Sequence, residues 1–201
     1  TIFEVNQMWQ PITVLSLNVG RFLQERTNLA LWDAVCVHKP DVICLQDTPR
    51  KFGHDLLMSG YNHSTFATMT IHRIGDLQKV GETDVGIGIY SKYPLNKVVS
   101  HVTWGNGEAK FLQGVENNQR HLGVESDRLV EDSEDRFVIF ATIVKENQWF
   151  NLATTHGAWV RGGIVTDYQR TSARRLIHAL YIEKAWRGGG RPCDTPREII
   201  P

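Results

Sequence analysis

Apolar residues in this chain fall into runs whose phase shifts from place to place, and each shift marks an element. Residues 12–18 (ITVLSLN) follow Pro11 as a β-branched, apolar stretch, which predicts a buried strand. From 25 to 38, Leu29, Trp32, Val35 and Cys36 recur at helical spacing. His38-Lys39-Pro40 ends that helix, because a residue before proline avoids helical angles. Residues 41–46 (DVICLQ) read as a second buried strand. Strand, helix and strand in this order predict a βαβ unit with parallel strands and a right-handed crossover.

Further along, 85–91 (VGIGIYS) is a strand stopped by Tyr93-Pro94, and 98–104 is a fourth. The stretch from Gly105 to Arg136 is polar and carries Glu125, Asp127, Glu131, Asp132, Glu134 and Asp135, which suits a solvated loop or edge. Two apolar runs, 137–144 and 149–156, flank Lys145-Glu146-Asn147-Gln148 and predict a hairpin. Thr166 with Gln169 has the spacing of a capping box. The helix it opens carries Ala173, Leu176, Ile177, Leu180 and Lys184 along one stripe and ends at Gly188-Gly189-Gly190. Glu198-Ile199-Ile200-Pro201 reads as the first step of another strand.

Composition narrows the class. With 201 residues, 41% hydrophobic and 22% charged, the chain suits one globular domain spanning 1–201 with its own core. No internal repeat or linker divides it. Its longest nearly apolar run, 137–144, is far below the roughly 20 residues that span a bilayer, so no membrane span is expected. Lys plus Arg and Asp plus Glu number 22 each, so no global cationic excess favours nucleic acid. The basic residues are nonetheless gathered: Arg161, Arg170, Arg174, Arg175, Arg187, Arg191 and Arg197 all lie in the last quarter. Cys36, Cys44 and Cys193 have no metal-clip spacing and read as free thiols, two of them buried, which leans toward a reducing, cytoplasmic compartment.

Side chains alternate along a strand, so phase tells which polar groups share a face. Val14, Ser16 and Asn18 are in phase; so are Ile43, Leu45 and Asp47, and so are Phe150, Leu152, Thr154 and His156. Each series ends in a group able to hold metal or phosphate. Ligands of open α/β sheets bind beyond the carboxyl ends of strands, where these three lie. Singly, each has a structural alternative: Asp47 before Thr48-Pro49 suits a turn, His156 a hydrogen-bonded structural role, and Asn18 the start of a loop.

Four stretches, Leu15-Ser16-Leu17-Asn18-Val19, Pro40 to Asp47, Val85 to Leu95 and Asn151 to His156, resemble in order and spacing the endonuclease/exonuclease/phosphatase superfamily, the deoxyribonuclease I-like fold. The resemblance implies a four-layered α/β sandwich, two mixed sheets face to face with helices outside and an active site at one rim. It implies divalent-metal hydrolysis of phosphoesters with Mg2+ or Mn2+, Asp47 as metal ligand, Asn18 orienting the metal site or a phosphate oxygen, and His156 gripping the scissile phosphate. Asp47 stands where the family has Glu, one methylene shorter, about 1.5 Å of reach.

The family's Gly-Asp-x-Asn and Ser-Asp-His motifs have no counterpart after His156. Gly75-Asp76-Leu77-Gln78 and Ser126-Asp127-Arg128 precede it, in the wrong order. A C-terminally incomplete chain is therefore expected, with the general base beyond residue 201. The phosphoester substrate is left open among nucleic acid, inositol phosphate, lipid head group and protein adduct. Arg161 and Trp159, just past His156, are the substrate-contact candidates, and they would suit a nucleic-acid strand. The alternative function is a degenerate member that keeps the fold as a binding module.

Overall fold

The computed structural model describes residues 10–20, 25–74, 81–111, 135–157 and 165–187. In chain order these form β1 (Val14–Asn18), α1 (Glu25–His38), β2 (Val42–Pro49), α2 (Phe52–Met58), β3 (His63–Ile74), β4 (Gly81–Ser91), β5 (Leu95–Trp104), β6 (Lys110–Phe111), β7 (Arg136–Lys145), β8 (Gln148–Thr155) and α3 (Asp167–Arg187). The first sheet has the order β1-β2-β4-β3-β6 and is mixed: β1 runs parallel to β2 and β6 parallel to β3, and the remaining pairs are antiparallel. The second, β5-β7-β8, is antiparallel throughout its described strands rather than mixed.

Alternation along β2 builds two cores at once. Ile43 and Leu45 project toward the helices, where they pack with Leu31, Val35, Phe52, Leu56 and Tyr61. Val42 and Cys44 project the other way, into a layer shared with Met69, Ile87 and Ile89 of their own sheet and Phe137, Ile139, Ala141 and Ile143 of β7. A third, smaller cluster of Val138, Phe140, Ala179 and Leu176 joins the outer face of β7 to α3. The layers are therefore helix, sheet, sheet, helix, the sandwich that the resemblance implies. Glycines in β4 make room for it: a Cβ on Gly88 would lie 2.7 Å from the Tyr90 hydroxyl oxygen.

Local chemistry accounts for the connections. The β7–β8 turn is Glu146-Asn147 with φ of 49° and 64°, the two-residue left-handed turn that matches strand twist. Thr166 caps α3 as expected: its hydroxyl accepts the Gln169 N–H at 3.3 Å while its own N–H donates to Gln169 Oε1 at 3.2 Å.

Several expectations are corrected. β1 is an edge strand with alternately exposed residues, not a buried one. On α1 the buried residues are Leu31 and Val35; Leu29 is 59% exposed, and Cys36 is exposed rather than buried. On α3 only part of the apolar stripe faces the sheet: Leu176 packs against Val138 and Phe140, whereas Ile177 is 66% and Leu180 43% exposed. Among its described side chains Tyr168, Ser172, Ala179 and Glu183 are buried. Asp135 and Arg136, assigned to a solvated stretch, are 3% and 1% exposed. Glu125, Asp127, Glu131, Asp132 and Glu134, with Cys193, Arg191, Arg197 and the terminal Glu198-Ile199-Ile200-Pro201, lie outside the described residues.

Candidate active site

The two sheets meet along polar rims at both ends of the apolar layer. At the end where β1 and β2 finish, Gln46 continues the phase of Cys44 and points between the sheets. Its Nε2 donates to Ser16 Oγ at 3.2 Å and to Thr154 Oγ1 at 3.0 Å, bridging β1, β2 and β8. Two residues further along β1 and β8, Asn18 and His156 meet, with Asn18 Nδ2 and His156 Nε2 3.0 Å apart. The in-phase series Val14-Ser16-Asn18 and Leu152-Thr154-His156 thus converge across the gap.

His156 is gripped from its other side. Arg136 Nη1 lies 2.7 Å from His156 Nδ1, and Arg136 Nε donates to the Tyr168 hydroxyl at 2.8 Å. The Trp104 ring stands edge-on against Tyr168 with centroids 4.7 Å apart, so the first turn of α3 and the end of β5 wall in the guanidinium. Asp135 N donates to Met69 O at 3.1 Å and ties this corner back to the first sheet.

Donor counting gives this row its chemical character. Guanidinium can only donate, so His156 Nδ1 accepts and, in the neutral ring, Nε2 carries the proton. At the other end the Gly20 N–H donates to Asn18 Oδ1 at 3.0 Å. The Asn18 amide, the His156 ring, the Arg136 guanidinium and the Gly20 N–H thus gather N–H donors along one rim, a setting that suits an oxygen that only accepts, such as a phosphoryl oxygen.

Asp47 sits beside this row but not in the phase expected. Leu45 pairs with Gly88 and Thr48 with Gly86, so Gln46 and Asp47 together oppose Ile87, a β-bulge. Asp47 adopts φ of 53° there, a conformation that short polar side chains tolerate best. It is half-buried, with its Oδ1 enclosed. Among the described residues no three His, Cys, Asp or Glu side chains cluster as a ready-made metal cage. A single carboxylate is within what magnesium accepts, since that ion keeps several waters and takes the rest of its shell from substrate phosphate.

Arg161 and Trp159 lie outside the described residues, as do Gly75-Asp76 and Ser126-Asp127. Sequence reasoning missed Gln46, Arg136 and Tyr168. The available signal for Arg136 was its position at the head of a strand apolar on both faces, where a guanidinium has to find a partner. Burial pushes the Cys44 thiol up to about 11, against a lowering by its hydrogen bond with Thr154, so this cysteine is an inert member of the wall.

Similar sandwiches occur in solved structures. Over 87% of this chain and 59% of its own length, the human nocturnin catalytic domain with bound sulfate superposes at a TM-score of 0.56 with 16% identity. The chain has the endonuclease/exonuclease/phosphatase fold. An endonuclease/exonuclease/phosphatase family protein from Leptotrichia buccalis shares that fold at TM-score 0.53 and 12% identity, over 84% of this chain and 63% of that one. Sphingomyelinase C from Streptomyces griseocarneus does so at 0.51 and 12%, over 89% and 60%. The chain spans between 43% and 63% of the lengths of such endonuclease/exonuclease/phosphatase-fold structures. No protein-family model matches the sequence, and no curated protein does. No described helix is long and apolar enough to cross a membrane.

Proposed function

We propose that this chain is part of a divalent-metal-dependent hydrolase of phosphoester bonds. The observation that carries the reading is the row of N–H donors that Gly20, Asn18, His156 and Arg136 gather at the rim between the sheets. Such preorganised donors stabilise charge growing on a phosphoryl oxygen. His156 donates from Nε2, Arg136 holds the ring in that tautomer, and Asn18 supplies the second donor. Asp47 would hold Mg2+ or Mn2+, which when bound supplies neutralisation of phosphoryl charge as a Lewis acid. Arg161 and Trp159 follow His156 closely in the chain and are proposed to contact the substrate beyond the scissile phosphate.

The test is hydrolysis of bis(p-nitrophenyl) phosphate in Mg2+ or Mn2+ by the full-length protein that contains this chain, since the general base is expected beyond residue 201. Activity is expected to vanish with a chelator, and His156→Ala is expected to lower kcat by about 100-fold or more. Unchanged turnover in that variant removes His156 from the chemistry. Phosphate binding that depends on His156 without any hydrolysis by the full-length protein favours the binding-module alternative, which the short Asp47 in place of Glu motivates.

A further inference from the structure

Along the outer face of the second sheet, β5 and α3 leave an open groove of about 280 Å³. Its floor is apolar, formed by Val102, Ala179 and Ile182, and Arg174, Arg175 and His178 stand along its helix side. His101 lines the strand side, where its Nε2 lies 3.0 Å from Glu183 Oε1, so the one buried acid of this part of α3 is already engaged by an imidazole. An apolar floor under a cationic rim is what a nucleotide requires: a surface for the base and charge for the phosphate.

The groove also has a definite position relative to the candidate active site. Trp104 of β5 pairs with Arg136, and three residues back His101 pairs with Val138. Three strand residues span about 10 Å. On the helix, Tyr168, which holds Arg136, precedes Arg175 by two turns, again about 10.5 Å. Ser172 Oγ meets Thr103 Oγ1 at 3.4 Å midway, so both elements lead away from Arg136 together. At the 3.4 Å rise of a stacked strand this distance is about three nucleotides. The groove lies over the β5 side of its sheet, the side opposite β8.

We propose that this groove binds the backbone of a single nucleic-acid strand a few nucleotides from the scissile phosphate, making a polynucleotide the substrate class of the rim site. The assignment rests on the phosphoester reading for what happens at the rim, but strand binding itself does not. Arg174 and Arg175 supply the phosphate contacts, and the floor between Val102 and Ile182 supplies the apolar face.

The experiment is fluorescence anisotropy of a short labelled oligothymidylate titrated with the full chain in the presence of a chelator, between about 50 and 200 mM salt. The double variant Arg174→Gln/Arg175→Gln, both exposed and so without a burden on folding, is expected to bind at least tenfold more weakly. Its salt slope is expected to be shallower by about 1.4, two phosphate contacts' worth for a single strand. Strand binding is read in chelator, without turnover, so a failure of this proposal and a failure of the hydrolase reading are scored separately. Unaltered affinity and slope in the double variant overturn the assignment, as does no binding by the wild-type chain. Displacement of the strand by an equal concentration of oligoaspartate reduces the groove to a charge patch and overturns it as well.

Discussion

His156 is held between a guanidinium that can only donate and an amide whose oxygen accepts the Gly20 N–H. In the neutral ring Nδ1 then accepts from Arg136 and Nε2 carries the proton. Replacing Arg136 with Gln frees Nδ1 to carry the proton, and nitrogen-detected NMR of the His156 ring is expected to show a mixture of tautomers. The same change removes a charged hydrogen bond to the Tyr168 hydroxyl in a fully buried position, so urea unfolding should report a loss of about 2–3 kcal/mol. Asp47 separates stability from activity in the opposite sense. Its φ of 53° is one that glycine adopts freely, so Asp47→Gly is expected to keep or raise the urea midpoint, by up to about 1 kcal/mol. Metal-dependent hydrolysis should be lost in that protein. A fall in both quantities would mean that the carboxylate serves the fold.

Elements were legible in the sequence where one physical signal decided them. β1, α1 and β2 follow from an apolar run, a helical period and a proline stop. The β7–β8 hairpin follows from two apolar runs around a short polar turn, and the start of α3 from Thr166 and Gln169. Thr166→Ala should cost about 1 kcal/mol of stability, measurable by thermal or urea unfolding, because the Gln169 N–H loses its acceptor at the helix start. β3 was missed because Thr65, Thr68 and Thr70 interrupt its apolar residues, so no continuous run announces it. The predicted face of α3 was rotated from the real one: Leu176 does make the contact, but Ile177 and Leu180 do not. Ser172 and Ala179 let the helix approach β5 and β7 closely, a preference set by the sheet surface and invisible in the helix alone. The site was legible as far as strand phase held: Asn18 and His156 do meet. Asp47 fell out of phase because a bulge adds one residue without changing the apolar pattern before it.

At the scale of the molecule, the two sheets are fastened at both ends of an apolar layer. Opposite the active-site rim, Lys145 Nζ reaches Asp41 Oδ2 at 2.9 Å and the Pro11 carbonyl at 2.8 Å, and the Thr13 N–H also donates to Asp41. Burial raises the Asp41 carboxyl, but the Thr13 and Lys145 hydrogen bonds and the Lys145 charge outweigh it, leaving the group below its ordinary 3.8. The hydrogen bond to Asp41 carries Lys145 above its ordinary 10.5, against a smaller lowering by burial. The stabilisation from Asp41 is therefore full above pH 3.8 and lost as pH falls through the depressed value. That from Lys145 is full below 10.5 and lost as pH rises through the elevated one. Asp41→Asn should cost about 2 kcal/mol near neutrality and flatten both ends of a stability–pH curve measured by urea unfolding. Asp41 and Gln46 are five residue steps apart, roughly 17 Å, with this ion pair at one end and the Gln46 bridge at the other. The sheets thus act as the arms of a pair of tongs, pinned at the handle by a charge that acid can neutralise. An acid limb in the rate profile that disappears in Asp41→Asn would then belong to the frame and not to any group that meets the substrate.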